Sequence, residues 1–145
     1  MESLCELTSA HPEVWKNTSS QLLNVVSQVA SQKDFEDGTR ASAIEVALAL
    51  AEQMPASLRK ASETKSMLMP AIVQMLLEVE EDEETWEEAI DDKDRLATDP
   101  VSTAASSISR LTADLGEKTT LACCQPIIGE LIGSGDSWVK RQAGF

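Results

Sequence analysis

The amino-acid sequence predicts an all-α fold, built as a solenoid of stacked antiparallel helix pairs. The first observation is compositional: hydrophobic residues make up 42% of the 145 residues, but aromatic residues make up 3% and tyrosine is absent. Strands favour aromatic residues, so this composition favours helices. The second observation is that apolar residues recur at helical spacing in successive runs. The third is a proline-led apolar pattern that occurs twice in the chain.

The first three predicted helices each carry a stripe of apolar side chains. The first spans Asn17 to Ser31 and opens with polar residues that can cap a helix. The second covers the apolar run 43–54, and Pro55 follows where a helix would stop. The third covers residues 64–79, with Pro70 inside its first turns, where proline is tolerated.

The next two helices have the clearest boundaries in the sequence. Asp99 is the predicted N-cap of a helix whose first residue is Pro100, and Gly116 is predicted to close that helix. The following run, Glu117 to Ile132, places its apolar residues on one face. Residues 1–10 resemble the last turns of a helix, and the chain ends in what resembles the start of another, so we expect a piece of a longer array.

The internal repeat has a period that exceeds those of known helical repeats. The pattern of proline and paired apolar residues at 70–76 recurs at 126–132, which is 56 residues later. HEAT and armadillo repeats are about 40–47 residues long, so one insertion of about 9–16 residues is implied. Arg40 and Arg141 lie 101 residues apart, consistent with two repeats of about 43 residues and one insertion of about 15.

A division of the chain follows from this period. Residues 1–10 are the end of a helix, 12–55 are one repeat, 56–116 are a second repeat that carries an acidic loop at 80–98, and 117–145 are a partial repeat. One helix pair cannot bury its apolar stripe alone and must stack on its neighbours, which is the reason to expect a solenoid.

The inserted segment carries most of the net charge. From Glu78 to Asp94 there are eleven acidic residues and one base, a local charge of −10 out of a net −13. Such a segment repels itself, so we expect an extended, partly disordered loop. Two interpretations stay open: a merely solubilising insertion, or an electrostatic patch for a basic partner. Trp86, within the segment, either docks onto the solenoid or anchors a basic side chain of that partner.

The same charge balance disfavours several classes of function. A nucleic-acid binder or a polybasic membrane anchor needs clustered Lys and Arg, which the sequence lacks. No phosphate loop, nucleophile elbow or catalytic triad is visible, so we expect neither an enzyme nor a cofactor. His11 and three cysteines, two of them adjacent, do not provide a zinc site, and we expect buried reduced thiols and no metal.

Several stretches resemble the central HEAT repeats of importin-beta family nuclear transport receptors, and most closely the importin-five (karyopherin beta three) branch. The most specific is the helix that runs into an acidic segment containing a tryptophan. The resemblance extends from about Leu4 to Phe145, and the stretches that carry it are 44–46, 58–60, 69–86 and Trp138 with Arg141, Ala143 and Gly144.

The resemblance implies a nuclear import receptor that shuttles between cytoplasm and nucleus. Its partners would be basic cargo proteins with nuclear localisation signals and the small GTPase Ran, bound by the inner surface of the solenoid and by the acidic loop. The alternative is a HEAT scaffold or regulatory subunit of another complex, such as a phosphatase, with an inert loop. The candidate partner-binding residues are Glu80, Glu81, Asp82, Glu83, Glu84, Trp86, Glu87, Glu88, Asp91 and Asp92.

A second set of residues is predicted to hold neighbouring repeats together. Arg40 and Arg141 each follow an aspartate by a few residues, Asp37 and Asp136 respectively, and we expect salt bridges between stacked repeats at these positions. Trp138 is expected to pack in the core or between repeats. The fourth helix has Ser102 and Thr103 where the other repeats have arginine, so an Asp–Arg ladder would be interrupted there.

Overall fold

The computed structural model describes residues 2–78 and 99–133, and all regular secondary structure within these two ranges is helical. The all-α prediction is therefore confirmed. A 3₁₀ turn at Pro12–Trp15 and a π turn at Thr64–Leu68 complete the elements. The α-helices are α1 (Glu2–Ala10), α2 (Ser19–Ser31), α3 (Asp37–Gln53), α4 (Pro55–Lys60), α5 (Met69–Leu76), α6 (Pro100–Leu115) and α7 (Glu117–Gly133).

The long helices form two layers. In one layer α3 lies between α1 and α6, and in the other α5 lies between α2 and α7. The layers face each other through the consecutive pairs α2 with α3, and α5 with α6, while α7 packs on α6. We call the layer of α1, α3 and α6 the second-helix layer, because these are the second helices of successive pairs. The arrangement is a stack of helix pairs, as the sequence predicts.

The hydrophobic core lies between the two layers, and α3 is its centre. Nine of the 17 residues of α3 are buried, so this helix has little amphipathic character. Three alanines, Ala43, Ala47 and Ala51, are fully buried and allow neighbouring helices to approach closely. The larger core side chains, which are at most 1% exposed, include Leu23, Val26, Ile44, Leu48, Leu50, Ile72, Met75 and Leu111.

Helix α6 begins and ends where the sequence predicts. The carboxylate of Asp99 accepts a hydrogen bond from the backbone N–H of Ser102 at 2.7 Å, so Asp99 is the N-cap. Pro100 occupies the first turn, where its missing N–H costs nothing. Gly116 ends the helix with φ of 85°, a conformation that favours glycine.

Several helix boundaries differ from the sequence prediction. Helix α3 begins at Asp37, ahead of its apolar run, because its first two residues, Asp37 and Gly38, are exposed and add no apolar side chain to the pattern. Pro55 does follow the end of α3, but it also starts the short helix α4, for which proline is well suited at the first position. The predicted third helix begins as a π turn, and α5 ends at Leu76 rather than at residue 79.

The π turn has a local cause in Pro70. Proline has no N–H, and its ring clashes with the carbonyl four residues earlier in a regular α-helix. Here the turn widens just before the proline, and the N–H of Met69 bonds the carbonyl of Thr64, five residues back. The Thr64 hydroxyl is buried and donates to the Leu58 carbonyl at 2.8 Å, which fixes the start of the wide turn.

Candidate partner-binding surface

Arg110 and Glu45 form a salt bridge across the second-helix layer, from α6 to α3. Nη1 of Arg110 donates to Oε1 of Glu45 at 2.7 Å and to Oε2 at 2.9 Å. The two side chains are 45% and 47% exposed, so the salt bridge faces solvent. The hydrogen bond to Glu45 raises the pKa of Arg110, and the nearby carboxylates of Glu52 and Asp114 raise it further. Arg110 therefore pairs directly with Glu45 and also feels the negative charges of Glu52 and Asp114.

Cys5 of α1 lies at the edge of the same group. Its thiol is 3.9 Å from the backbone carbonyl of Glu45. Partial burial raises the pKa of Cys5, and the negative charges of Glu45 and Glu6 act in the same direction. A nucleophilic cysteine needs a lowered pKa and a positive environment, so Cys5 is a packing residue rather than a reactive one.

Arg40 is a buried arginine at the other side of α3. Its side chain is 2% exposed and makes several hydrogen bonds. Nε donates to the carbonyl of Ala30 at 2.9 Å, and Nη1 donates to Asp37 at 3.2 Å. Nη1 and Nη2 also donate to the two carboxylate oxygens of Glu78, at 2.7 and 2.8 Å. Arg40 thus joins the C-terminus of α2, the first turn of α3 and Glu78, which lies two residues beyond the end of α5.

Glu78 is a correction to the sequence interpretation, which counted it within a solvated acidic loop. Its side chain is only 12% exposed. Glu78 has a second cationic neighbour besides Arg40: Nζ of Lys33 lies 3.6 Å from Oε1 of Glu78. A buried arginine requires a paired anion, and the first acid of the run supplies it. Glu78 is therefore part of the packed structure, and so is Asp99 as the N-cap of α6. A structurally engaged carboxylate stands on each side of residues 79–98.

Arg59 of α4 fastens α4 to the C-terminus of α6. Its Nε donates to the carbonyl of Leu115 at 2.8 Å, and its Nη2 donates to the carbonyl of Asp114 at 3.0 Å. The last carbonyls of a helix have no partner within the helix, and a cation there also complements the helix dipole. Arg59 is consequently a C-terminal cap for α6 that is supplied by the short helix α4.

All of the residues predicted to bind partners lie outside the described ranges. These are the acids between Glu80 and Asp92 together with Trp86. Of the predicted inter-repeat residues, Asp136, Trp138 and Arg141 also lie outside the described ranges. Asp37 and Arg40 lie within them, and Arg40 reaches Glu78 in the next predicted repeat as well as Asp37 in its own.

Two cross-helix contacts had no counterpart in the sequence analysis. Arg59 lies within the stretch 58–60 that carries the family resemblance, and its two acceptors are backbone carbonyls 55 and 56 residues away. Glu45 and Arg110 are separated by 65 residues. The spacing of charges along a helix reveals partners three or four residues apart, so it gives no signal for either contact.

The described residues were also searched for metal-binding groups and for membrane-spanning helices. Within residues 2–78 and 99–133, no group of three or more His, Cys, Asp or Glu side chains is placed to hold a metal ion. In the same two ranges, no helix combines the length and apolarity needed to cross a membrane. Cys123 and Cys124 are buried free thiols, and burial raises the pKa of both.

Comparison with solved structures identifies the helix stack as a karyopherin solenoid. A crystal structure of Kap121p bound to Nup53p matches 99% of this chain with a TM-score of 0.83 and 25% sequence identity. Kap121p bound to RanGTP gives the same values. Kap121p bound to the extreme C-terminus of the protein phosphatase Cdc14p matches with a TM-score of 0.83 and 24% identity. In each case the chain spans 14% of the length of the Kap121p chain.

A family model described as an importin repeat matches residues 32–122. The match begins in the turn between α2 and α3 and ends within α7, so it includes Arg40, Glu45, Glu78 and Arg110. It covers more than half of the chain, from α3 through α6. The chain belongs to the importin repeat family.

Proposed function

We propose that this chain is a protein-binding segment of a nuclear import receptor, of the importin-five branch of the importin-beta family. The observation that carries the proposal is the match of 99% of the chain to Kap121p, including Kap121p bound to RanGTP. The finer assignment to the importin-five branch rests on the acidic, tryptophan-containing segment after α5. We retain the division into repeats at 12–55 and 56–116, which agrees with the pairing of α2 with α3 and of α5 with α6.

The proposed partners are basic cargo signals and Ran in its GTP form. A segment with ten acids between Glu80 and Asp94 attracts a chain rich in Lys and Arg. Because the Debye length is about 8 Å at physiological salt, this attraction acts at short range and weakens as salt rises. It speeds encounter and selects basic partners, while the second-helix layer provides the rest of the contact surface.

The proposed cycle is competitive. Cargo binds in the cytoplasm, and Ran–GTP releases it in the nucleus by binding the same array, with coupling through bending of the solenoid. The chain acts by binding rather than by catalysis, and its receptor shuttles between the two compartments. In this proposal the acids from Glu80 to Asp92 and Trp86 contact the partner. Asp136, Trp138 and Arg141 hold the following helix pair.

The proposal is tested by binding of a fluorescent Lys-rich import-signal peptide to the 145-residue chain, measured by anisotropy at low and at high salt. The first variant replaces Glu80, Glu81, Glu83 and Glu84 with glutamine. The control neutralises four exposed carboxylates elsewhere, at Glu13, Asp34, Glu36 and Glu117.

We expect the first variant to lose affinity and to show a smaller salt dependence than the control. Equal binding by the two variants would show that the segment is a solubilising insertion, as in a phosphatase-type scaffold. Addition of Ran loaded with GTP, but not with GDP, is expected to displace the peptide. Failure of the wild-type chain to bind either basic peptide or Ran–GTP would refute the proposal for this segment.

A further inference from the structure

Within the described residues, two arginines form salt bridges between the α2–α3 pair and the α5–α6 pair, and these two salt bridges differ in one physical respect. Arg40 and Glu78 are 2% and 12% exposed, whereas Arg110 and Glu45 are 45% and 47% exposed. A buried ion pair that loses one partner leaves an uncompensated charge in the protein, so it does not exchange partners readily. An exposed pair contributes little to stability and exchanges easily with ions or with other charged groups. Only the second kind of pair is available to a binding partner.

In the exposed salt bridge, Arg110 occupies the carboxylate of Glu45 as a basic side chain of a partner would. One nitrogen of Arg110 contacts both oxygens of Glu45, at 2.7 and 2.9 Å. Glu45 lies mid-way along α3 in the second-helix layer, and Arg110 reaches it from α6. Glu52 and Asp114 are close enough to act on the charge of Arg110. A lysine or arginine of another protein would find the same carboxylate surroundings if Arg110 were displaced.

We propose that Arg110 is an internal competitor for the basic segment of a partner, and that such a segment binds the second-helix layer by displacing Arg110 from Glu45. The inference rests on the proposed function and adds a contact within the described helices to the acidic segment. Arg110 is then a specificity-determining residue: it neutralises Glu45 in the free chain and disfavours weakly basic partners. A segment with several Lys or Arg residues offsets the free energy needed to displace Arg110, because it interacts with Glu45, Glu52 and Asp114 together.

The size of the expected effect follows from the exposure of the pair. Exposed salt bridges are weak, so their removal changes a competing equilibrium by about two- to fivefold. We therefore expect Arg110→Ala to tighten binding of the basic peptide by about two- to fivefold, and Glu45→Gln to weaken binding by about the same factor. Arg110→Lys, which keeps the charge, should lie between the wild type and Arg110→Ala.

The experiment measures affinity for the Lys-rich peptide in the full 145-residue chain, with thermal unfolding recorded for each variant. The charge-matched control for Arg110→Ala is Lys118→Ala, which removes an exposed cation from α7 in the opposite layer. The control for Glu45→Gln is Asp34→Asn, in the exposed turn between α2 and α3. The double variant Arg110→Ala with Glu45→Gln tests whether Arg110 acts through Glu45.

Three outcomes are distinguishable. If Arg110 competes for Glu45, Arg110→Ala tightens binding more than Lys118→Ala does, and the double variant binds as Glu45→Gln does. If Arg110 contributes only to the net charge, Arg110→Ala and Lys118→Ala tighten binding equally, which refutes the inference while the proposed function stands. If the wild-type chain and all variants fail to bind the peptide, the proposed function itself is refuted.

Discussion

Arg40 and Glu78 form a two-pronged salt bridge, with nitrogen–oxygen distances of 2.7 and 2.8 Å, between the first turn of α3 and the segment just beyond the end of α5. Arg40 also donates to the Ala30 carbonyl near the end of α2. One buried guanidinium therefore holds together three helix termini from two consecutive pairs. The hydrogen bonds to Glu78 are the main cause of the raised pKa of Arg40, so the arginine stays charged at every accessible pH.

Replacement of Arg40 with methionine is expected to destabilise the chain by about 3–5 kcal/mol, because Glu78 is then left partly buried without its main cation. The Ala30 carbonyl also loses a donor. Urea unfolding followed by circular dichroism measures the change. Lys33, 3.6 Å from Glu78, compensates in part, so the lower end of this range is expected.

The matched control is the double variant Arg40→Met with Glu78→Gln. It removes both charges, so it should be more stable than Arg40→Met alone. A double variant less stable than the single one would indicate that Arg40 stabilises the fold through its bonds to Asp37 and Ala30 rather than through Glu78.

Arg59 provides a second test, of the contact between α4 and the C-terminus of α6. Arg59→Ala removes the donors to the Leu115 and Asp114 carbonyls, and a loss of about 1–2 kcal/mol is expected from two hydrogen bonds to a charged group at a helix C-terminus. Thermal unfolding measures the change. Lys60→Ala, at the exposed neighbouring position in α4, should have an effect within about 0.5 kcal/mol. If both substitutions cost the same, the cap contributes nothing specific.

The N-cap of α6 is tested by changing Asp99. Asp99→Ala removes the acceptor for the Ser102 N–H and should cost about 0.5–2 kcal/mol. Asp99→Asn keeps an acceptor and should restore most of this stability. Hydrogen exchange of the Ser102 amide provides a local readout: exchange should be faster in the alanine variant and close to wild type in the asparagine variant. Unchanged exchange in Asp99→Ala would contradict the capping role.

Much of the fold could be predicted from the sequence, because local signals fixed it. Asp99, Pro100 and Gly116 each act within one helical turn, and α6 has the predicted boundaries. The π turn before Pro70 was not predicted, since the sequence indicates a proline effect but not whether the helix kinks or widens. The separate role of Glu78 was missed because charge density describes a segment as a whole and does not identify which acid meets a buried arginine.

The candidate surface was less predictable than the fold. The contact of Glu45 with Arg110 depends on how α3 and α6 align when helix pairs stack, and this alignment is set by core side chains such as Ile44, Leu48 and Leu111. Those side chains reveal an apolar face but not its register against the next helix. Contacts between residues that lie 65 positions apart therefore required the three-dimensional structure.

The raised pKa values of the three cysteine thiols predict how the free energy of unfolding depends on pH. Burial raises the pKa of Cys123 and Cys124 above that of an ordinary thiol, and burial together with the negative charge of Glu45 raises the pKa of Cys5. The folded chain therefore keeps these protons at a pH where the unfolded chain loses them. The resulting stabilisation is fully present below pH 9 and is lost as pH rises through the folded-state pKa values.

We accordingly expect the free energy of unfolding to decline above about pH 9, measured by urea unfolding in a series of buffers. A variant with Cys5, Cys123 and Cys124 all replaced by alanine should show a shallower decline over the same range, although its stability at neutral pH is lower because packing is lost. Alkylation by iodoacetamide at pH 8 gives an independent readout: it should be slow in the native chain and fast in urea, because the thiolate is the reacting form. If the alanine variant declines as steeply as the wild type, the loss at high pH arises from deprotonation of lysines and not from the buried thiols.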